Sequence, residues 1–186
     1  MDRILKIGVT LTLAVMMVSC SGTSTLGGNE ATVFLTVDIE EYNPDVDVCL
    51  TLTDIAISQM SITSTSSDPE GATSANQDVT LRRWVITPYR TDGGTTASPE
   101  WVVDQGVFVP AGGSASLSNW RIFPREYLYE MPLLYLHPEN GGFDPETGNT
   151  NIRQALELQI FGETVSGKNV ATEKIPIAYN FFCAGQ

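Results

Sequence analysis

The sequence predicts an all-β protein, an antiparallel two-sheet sandwich of immunoglobulin-like type. Apolar and polar residues alternate with a period of two in seven segments, and turn-forming residues stand between these segments. Strand patterns do not alternate with helix patterns along the chain, as they would in a parallel α/β fold. A small β-barrel built from similar short strands is the alternative architecture.

The predicted strands run through residues 31–182. The clearest alternation, in residues 31–39, places four apolar side chains on one face: Val33, Leu35, Val37 and Ile39. The pattern over residues 46–60 changes phase near Thr53-Asp54, which predicts a bulge or a change of sheet there. The other predicted strands span residues 79–91, 100–109, 114–119, 152–164 and 168–182.

Turn and helix signals separate these strands. Gly-rich and Pro-containing pieces at residues 43–45, 92–94, 110–113 and 166–167 are typical of turns. Residues 64–77 are rich in Ser and Thr and predict an exposed loop. Residues 124–131 predict one short helical turn, because Pro124 suits a first helical position and Pro132 ends the turn.

The composition is that of an acidic chain that can fold, and the sequence contains few residues or motifs typical of catalysis. Its 186 residues carry 10 Lys plus Arg and 22 Asp plus Glu, a net charge of −12, and 42% of them are hydrophobic. Such a chain can form one packed core. Nucleic acid is not an expected partner, since its phosphates need clustered basic residues. Motifs for a nucleophile elbow or a phosphate loop do not occur, and the one histidine, His137, is expected at a loop edge without catalytic partners.

The first residues predict a secretion signal. Asp2, Arg3 and Lys6 form a charged start, and the apolar run 7–18 is shorter than the roughly 20 residues needed to span a bilayer. The run ends in Met17-Val18-Ser19-Cys20, which resembles the lipobox of bacterial lipoproteins. This resemblance implies cleavage after residue 19, a diacylglycerol on the Cys20 thiol and an acyl chain on its amine.

The resemblance also implies a location in the cell envelope. Loss of residues 1–19 removes two basic and one acidic side chain, so the mature chain has a net charge of −13. Such a body is not attracted to anionic lipid headgroups, and the acyl chains must anchor it. Ser21 after the cysteine resembles lipoproteins sorted to the outer membrane. Residues 20–30 form the lipidated N-terminus and a flexible tether of about 15–20 Å, and residues 31–186 form a single domain.

Four short pieces of that domain, residues 91–94, 109–113, 140–148 and 161–163, are rich in Gly, Asp and Pro. They resemble segments of uncharacterised secreted bacterial lipoproteins. The resemblance implies no activity.

The cysteines predict one disulfide. With Cys20 modified by lipid, Cys49 and Cys183 are the two remaining thiols of the sequence. The expected compartment is oxidising, so we predict that they pair and tie the last strand to the sandwich. Two buried free thiols are the alternative.

One Gly-rich loop concentrates oxygen-bearing side chains. They belong to Asp144, Glu146, Asn149 and Asn151. Ca²⁺ takes about six to eight oxygen ligands, so this loop is a candidate calcium site. The spacing is not that of an EF-hand, because Ala155 stands where its last ligand, a Glu, belongs. The same residues are ordinary turn formers, and we expect no cofactor. We also expect no metal requirement for folding, because the hydrophobic strand pattern already supplies a core.

The aromatic residues are candidates for a binding face. Trp84 lies within a strand pattern and is predicted to be in the core, whereas Trp101 and Trp120 flank turns and are expected to be more exposed. For most of this set, a position in the core or at its edge is the favoured interpretation. The set also contains Tyr127, Tyr129 and Tyr135.

Three functions are consistent with these features. The favoured one is a non-enzymatic, lipid-anchored binding or assembly module whose partner is an envelope or extracellular protein or a glycan. Its contact surface is expected in loops 64–77, 92–94 and 136–151. The alternative is a small envelope hydrolase that uses carboxylates or a bound calcium ion. A subunit of a surface appendage would associate through open sheet edges.

Overall fold

Two facing sheets contain all the strands in the part of the chain that the structure describes. The computed structural model describes residues 32–68 and 73–185. The strands are β1 (Val33–Tyr42), β2 (Asp45–Asp47), β3 (Ile55–Ser66), β4 (Val79–Arg90), β5 (Trp101–Val109), β6 (Ser114–Phe123), β7 (Asn151–Thr164), β8 (Asn169–Ala171) and β9 (Ile175–Phe182). Short 3₁₀ turns span Ala75–Gln77, Arg125–Tyr129, Leu133–Leu136 and Pro138–Asn140. The predicted signal peptide, Cys20 and the tether lie outside the described residues.

The order of the strands is that of an immunoglobulin-like sandwich. One sheet runs β1-β3-β6, and the other runs β2-β9-β7-β4-β5 with β8 paired to β7. Apart from β2, which pairs with the outer edge of β9, these orders correspond to the A-B-E and G-F-C-C′ strands of immunoglobulin domains. The predicted all-β sandwich is confirmed, and the larger sheet curls into a half-barrel. The prediction of purely antiparallel pairing is wrong at one place, since β2 pairs with β9 in parallel.

The strands bury their apolar faces as the period of two predicts. In β1, Val33 and Leu35 are buried while Phe34 between them is exposed. The buried apolar side chains of both sheets form one cluster. Each fully buried Val, Leu or Ile stabilises the fold by roughly 1.5–3 kcal/mol before entropy is counted.

The segment after β6 closes one end of this core. The predicted helical turn at 124–131 is a 3₁₀ turn at Arg125–Tyr129, and two further 3₁₀ turns follow it. Pro132 and Pro138 each precede or begin one of these turns, and a proline lacks the N–H that a longer helix would need. The turns bury three leucines in the core: Leu128, Leu133 and Leu136.

Two predicted strands each divide in two, so seven predicted strands become nine in the described residues. The predicted change of sheet near Thr53-Asp54 is confirmed, because β2 and β3 belong to different sheets. Residues 46–60 are not one strand, because Asp47 Oδ1 accepts the N–H groups of Cys49 at 2.9 Å and Leu50 at 3.2 Å and turns the chain. The predicted strand 168–182 divides into β8 and β9. The loop predicted from residue 64 begins later, since β3 continues to Ser66.

The tryptophans meet between the sheets. Trp84 and Trp120 stack with 4.4 Å between ring centroids, and Trp120 is only 4% exposed. Both residues therefore lie in the core, which confirms the favoured interpretation for them, and the alternative of Trp120 as an exposed anchor is wrong. Gln105 accepts both indole N–H groups, one at its main-chain carbonyl and one at its side-chain oxygen. Trp101 is half-buried, and the Arg121 guanidinium lies 4.8 Å from the centre of its ring.

Candidate functional site

An open groove lies on the solvent face of the larger sheet. Its volume is about 1200 Å³, and residues of β4, β5, β7 and the segment 169–174 line it. We call it the outer groove. Its lining includes the apolar Val102 and several charged residues, among them Arg82, Arg83, Asp104, Glu163 and Lys174.

A β-bulge places two consecutive arginines in the outer groove. Neighbouring strand residues normally point to opposite faces, so one of Arg82 and Arg83 should face the core. The register of β4 shifts between Leu81 and Arg83 against both of its neighbours. Leu81 and Trp84 are buried, while both arginines between them are exposed. The bulge therefore adds positive charge to the groove without placing a charge in the core.

Gly162 of β7 permits the backbone approach beside this bulge. A Cβ at Gly162 would lie 2.7 Å from the Thr80 carbonyl oxygen and 3.0 Å from the Leu81 Cα. Both are backbone atoms that cannot move aside without shifting β4. Glycine at this position is therefore required by the packing of β7 against β4.

The charges along the outer groove are paired across strands. Arg83 binds Asp104 with two hydrogen bonds, of 2.8 and 3.1 Å. Arg82 lies 3.0 Å from Glu163, and Lys174 lies 2.6 Å from Glu157. The hydrogen bond from Arg83 lowers the pKa of Asp104 below its usual value. Both signs of charge thus alternate on an accessible surface.

Three carboxylates that line the outer groove have partners within the protein. Asp104 is held in its ionised form by Arg83. Glu163 lies against a cation, and Glu100 accepts a hydrogen bond from the Thr87 hydroxyl at 3.0 Å.

The predicted calcium loop is organised by an arginine. Arg90 Nη2 lies 2.7 Å from Asp144 Oδ2, and Arg90 Nε lies 2.7 Å from Asp92 Oδ1. Asp144 also accepts a hydrogen bond of 2.7 Å from the Thr147 hydroxyl. Burial acts to raise the pKa of Asp144, but its hydrogen bonds from Arg90 and Thr147 lower it overall. The positive charge beside this carboxylate thus comes from β4 of the same chain.

The other three predicted ligands also have protein partners. The Glu146 carboxylate accepts hydrogen bonds from the main-chain N–H and the hydroxyl of both Thr95 and Thr96. The Asn149 carbonyl accepts the Asp144 N–H at 2.8 Å. The Asn151 amide donates to Asn180 at 2.7 Å.

Calcium binding at this loop stays a prediction, and protein donors already bind the carboxylate oxygens of Asp144 and Glu146. The sequence reasoning missed Arg90, which lies 54 residues before Asp144. Its position at the end of a strand pattern, next to Asp92, was the available signal. The buried carboxylates of Asp92 and Asp144 both bind Arg90, so parts of the loops 92–94 and 136–151 have structural roles.

The two cysteines form the predicted disulfide. Cys49 and Cys183 are bonded, with 5.3 Å between their Cα atoms. The bond joins the loop after β2 to the residue after β9. The predicted pairing of Cys49 with Cys183 is confirmed.

His137 lies beside this disulfide. It lies between two 3₁₀ turns and is only 5% exposed. Its ring stacks on Tyr129 with 5.0 Å between centroids, and its Nε2 lies 3.1 Å from the Leu128 carbonyl oxygen. Its Nδ1 lies 3.8 Å from Cys49 Sγ. We call Asp47, Cys49, His137 and Cys183 the disulfide corner.

Comparisons with known proteins do not assign a family. No protein-family model and no curated protein matches the chain. The X-ray structure of Northeast Structural Genomics Consortium target SoR45 matches over 83% of this chain and 89% of its own, with 9% identity and a TM-score of 0.35. This similarity assigns neither fold nor function. Within residues 32–68 and 73–185, no helix is long and apolar enough to cross a bilayer.

Proposed function

We propose that this protein is a non-enzymatic, lipid-anchored module of the cell envelope that binds an extended segment of another protein in the outer groove. The observation that carries the proposal is the groove itself, a concavity of about 1200 Å³ lined by accessible charges of both signs. The lipid anchor rests on the lipobox resemblance at Cys20.

The ion pairs of the groove favour a polypeptide as the ligand. Arg83 and Asp104 are more than half exposed, and Arg82 is 66% exposed. Exposed pairs of this kind contribute little to stability, so a partner can exchange them for its own charges at small cost. A peptide with acidic and basic residues in alternation offers such replacements on one side of an extended chain.

The edge of the sheet adds main-chain groups to this surface. Among the described strands, β5 pairs only with β4, so its other edge carries N–H and C=O groups without a ladder partner. An added strand could pair with such an edge, as in β-augmentation. Pro99 and Pro110 bracket β5 and limit the length over which a partner strand could pair.

A glycan is a weaker match to the same face. Sugar rings commonly stack on exposed aromatic faces. Trp84 and Trp120 are buried between the sheets, and the Arg121 guanidinium lies over Trp101. The groove is lined by a single aromatic residue, Phe161, which is half-buried.

In-cell photo-crosslinking tests this proposal. A benzophenone amino acid replaces Val102, which is 45% exposed in the groove, in the full lipidated chain. The matched control carries the same group at Val165, which is 62% exposed and lies outside the groove. We expect a discrete envelope protein to be crosslinked from position 102 and not from position 165.

A charge reversal then tests the specificity of the contact. Arg83→Glu should abolish the crosslink from position 102, whereas Lys168→Glu, the same charge change on the β7–β8 turn, should leave it intact. Crosslinking that is equal from both positions, or indifferent to Arg83→Glu, would overturn the proposal. Turnover of a peptide, ester or glycan library that depends on a groove carboxylate would instead favour the hydrolase.

A further inference from the structure

The geometry points to a second state of the disulfide corner, in which the reduced protein binds one Zn²⁺ ion. The ligands are the Cys49 and Cys183 thiolates, His137 Nδ1 and the Asp47 carboxylate. The sulfurs of Cys49 and Cys183 can then either form a disulfide or bind the metal, but not both at once. This inference does not depend on the outer groove.

Three of the four side chains already converge on one place, and His137 approaches one of these three, Cys49. Carboxylate and sulfur atoms of Asp47, Cys49 and Cys183 lie within 4.8 Å of one another, a convergence of three such ligands found at this one place among the described residues. His137 Nδ1 approaches the same Cys49 sulfur to 3.8 Å. In a tetrahedral zinc site, Zn–S bonds near 2.3 Å and Zn–N bonds near 2.0 Å separate neighbouring ligand atoms by about 3.5–3.8 Å. The nitrogen–sulfur distance thus already fits one edge of the tetrahedron.

The histidine presents the correct nitrogen. Its Nε2 faces the Leu128 carbonyl oxygen, which can only accept a hydrogen bond, so Nε2 carries a proton. In the neutral ring, Nδ1 therefore has a free lone pair directed toward the cysteine sulfur. Histidines that bind zinc characteristically donate their other N–H to a backbone carbonyl in this way.

The carboxylate is also held in place before any metal arrives. Asp47 Oδ1 accepts the N–H groups of Cys49 and Leu50, and Oδ2 accepts that of Ala184 at 3.3 Å. A carboxylate has about four acceptor positions, so one remains for a metal. These donors come from the chain next to both cysteines and keep the carboxylate beside the sulfurs.

Reduction and oxidation of the two cysteines interconvert the disulfide state and the zinc-bound state. A dithiol reductant supplies two electrons and two protons, the S–S bond breaks, and the reductant becomes a disulfide. Zn²⁺ then displaces the two thiol protons and forms two Zn–S bonds. In the reverse direction a disulfide oxidant accepts two electrons from the sulfurs and two protons and becomes a dithiol, the S–S bond of the protein reforms, and Zn²⁺ is released. The cysteine pair would thereby couple metal release to oxidation.

Cobalt titration tests this inference, because Co²⁺ reports thiolate ligands by a charge-transfer absorption band and occupies tetrahedral zinc sites. The protein is the full chain with Cys20→Ser, which leaves two thiols, reduced by a phosphine without oxygen. We expect one Co²⁺ per chain, a thiolate charge-transfer band, and loss of that band on addition of Zn²⁺. The oxidised protein should show no band.

Variants separate the four-ligand site from simple thiol binding. His137→Ala should weaken Co²⁺ affinity by more than the 10–100-fold typical of losing an outer-shell contact. Glu139→Gln is the matched control, since this exposed carboxylate lies 4.0 Å from the same Nδ1 and is not a proposed ligand. Its affinity should equal that of the parent.

Loss of the disulfide can also unfold the chain, and near-ultraviolet circular dichroism of the buried tryptophans detects this. A reduced chain that unfolds and is refolded by Co²⁺ supports the site, because metal binding then drives folding. Absence of a charge-transfer band in the reduced protein, folded or unfolded, overturns the inference. So does an affinity that His137→Ala leaves unchanged.

Discussion

Arg90 and Asp144 form an ion pair of 2.7 Å in which both side chains are only 1% exposed. Asp92 holds the guanidinium from a second side at 2.7 Å. The pair connects the end of β4 to a loop 54 residues further along the chain. One cation thus holds together the end of the sandwich at which oxygen ligands for calcium were predicted.

Removing this cation should be far more damaging than removing an exposed one. Arg90→Met leaves two buried carboxylates without a positively charged partner, and the expected loss is about 3–5 kcal/mol in the free energy of unfolding. Urea unfolding measures it. Arg83→Met, at the exposed pair with Asp104, is the matched control and should change the midpoint little. Equal effects of the two variants would contradict a structural role for the buried pair.

Stability should fall in acid below about pH 4.5. Hydrogen bonds from Arg90 lower the pKa values of Asp92 and Asp144 against the cost of burial, and the N–H groups and hydroxyls of Thr95 and Thr96 lower that of Glu146 to about 2. A carboxyl whose folded pKa is depressed stabilises the fold above its unfolded pKa, and this contribution disappears as pH drops through the folded value.

Urea midpoints between pH 7 and pH 2 measure this loss. Glu146→Gln should make the decline below pH 4.5 shallower, because the amide does not titrate. Glu139→Gln, an exposed carboxylate of the neighbouring turn, should leave the slope as it is. A midpoint independent of pH over this range would refute the assignment.

The disulfide should contribute about 5 kcal/mol in the chain-entropy model, since it closes a loop of 134 residues. Cys49→Ala with Cys183→Ala should lower the urea midpoint accordingly, and a reductant should lower that of the parent but not of the variant. Thiol titration of the unfolded, unreduced parent should find no free thiol from this pair. Two reactive thiols from Cys49 and Cys183 in the unfolded, unreduced parent would show that the disulfide does not form.

Chelation should leave the oxidised protein unchanged. Arg90 already supplies the positive charge next to Asp144, so EDTA should not shift the melting temperature. A large shift that Ca²⁺ reverses, and that Asp144→Ala abolishes, would favour the calcium site instead.

Lipidation at Cys20 should decide where the protein resides. Cys20→Ser removes the thiol that receives diacylglycerol, so the variant should leave the membrane fraction or accumulate as uncleaved precursor. Several acyl chains make the parent anchor nearly permanent, so the parent should stay in the membrane at high salt. An intact mass showing an unmodified Cys20 in the mature parent would disprove lipidation.

Local features of the sequence were sufficient to predict which faces of the strands are buried, but not where every strand begins and ends. Alternation such as that of Val33 and Leu35 predicts a buried face because it depends only on the period of the backbone. The pairing of Cys49 with Cys183 followed from counting thiols in an oxidising compartment. Both the buried strand faces and the disulfide could therefore be predicted without knowledge of which strands are neighbours.

Only the tertiary structure decided what lies next to what. Trp120 is buried because β6 faces β4 across the sandwich, and His137 is buried because three 3₁₀ turns fold it against Cys49. Arg90 contacts Asp144 because β4 pairs with β7, which brings the end of β4 next to the loop that precedes β7. A sequence pattern records local period and turn chemistry, whereas these contacts depend on strand register and on the packing of the two sheets.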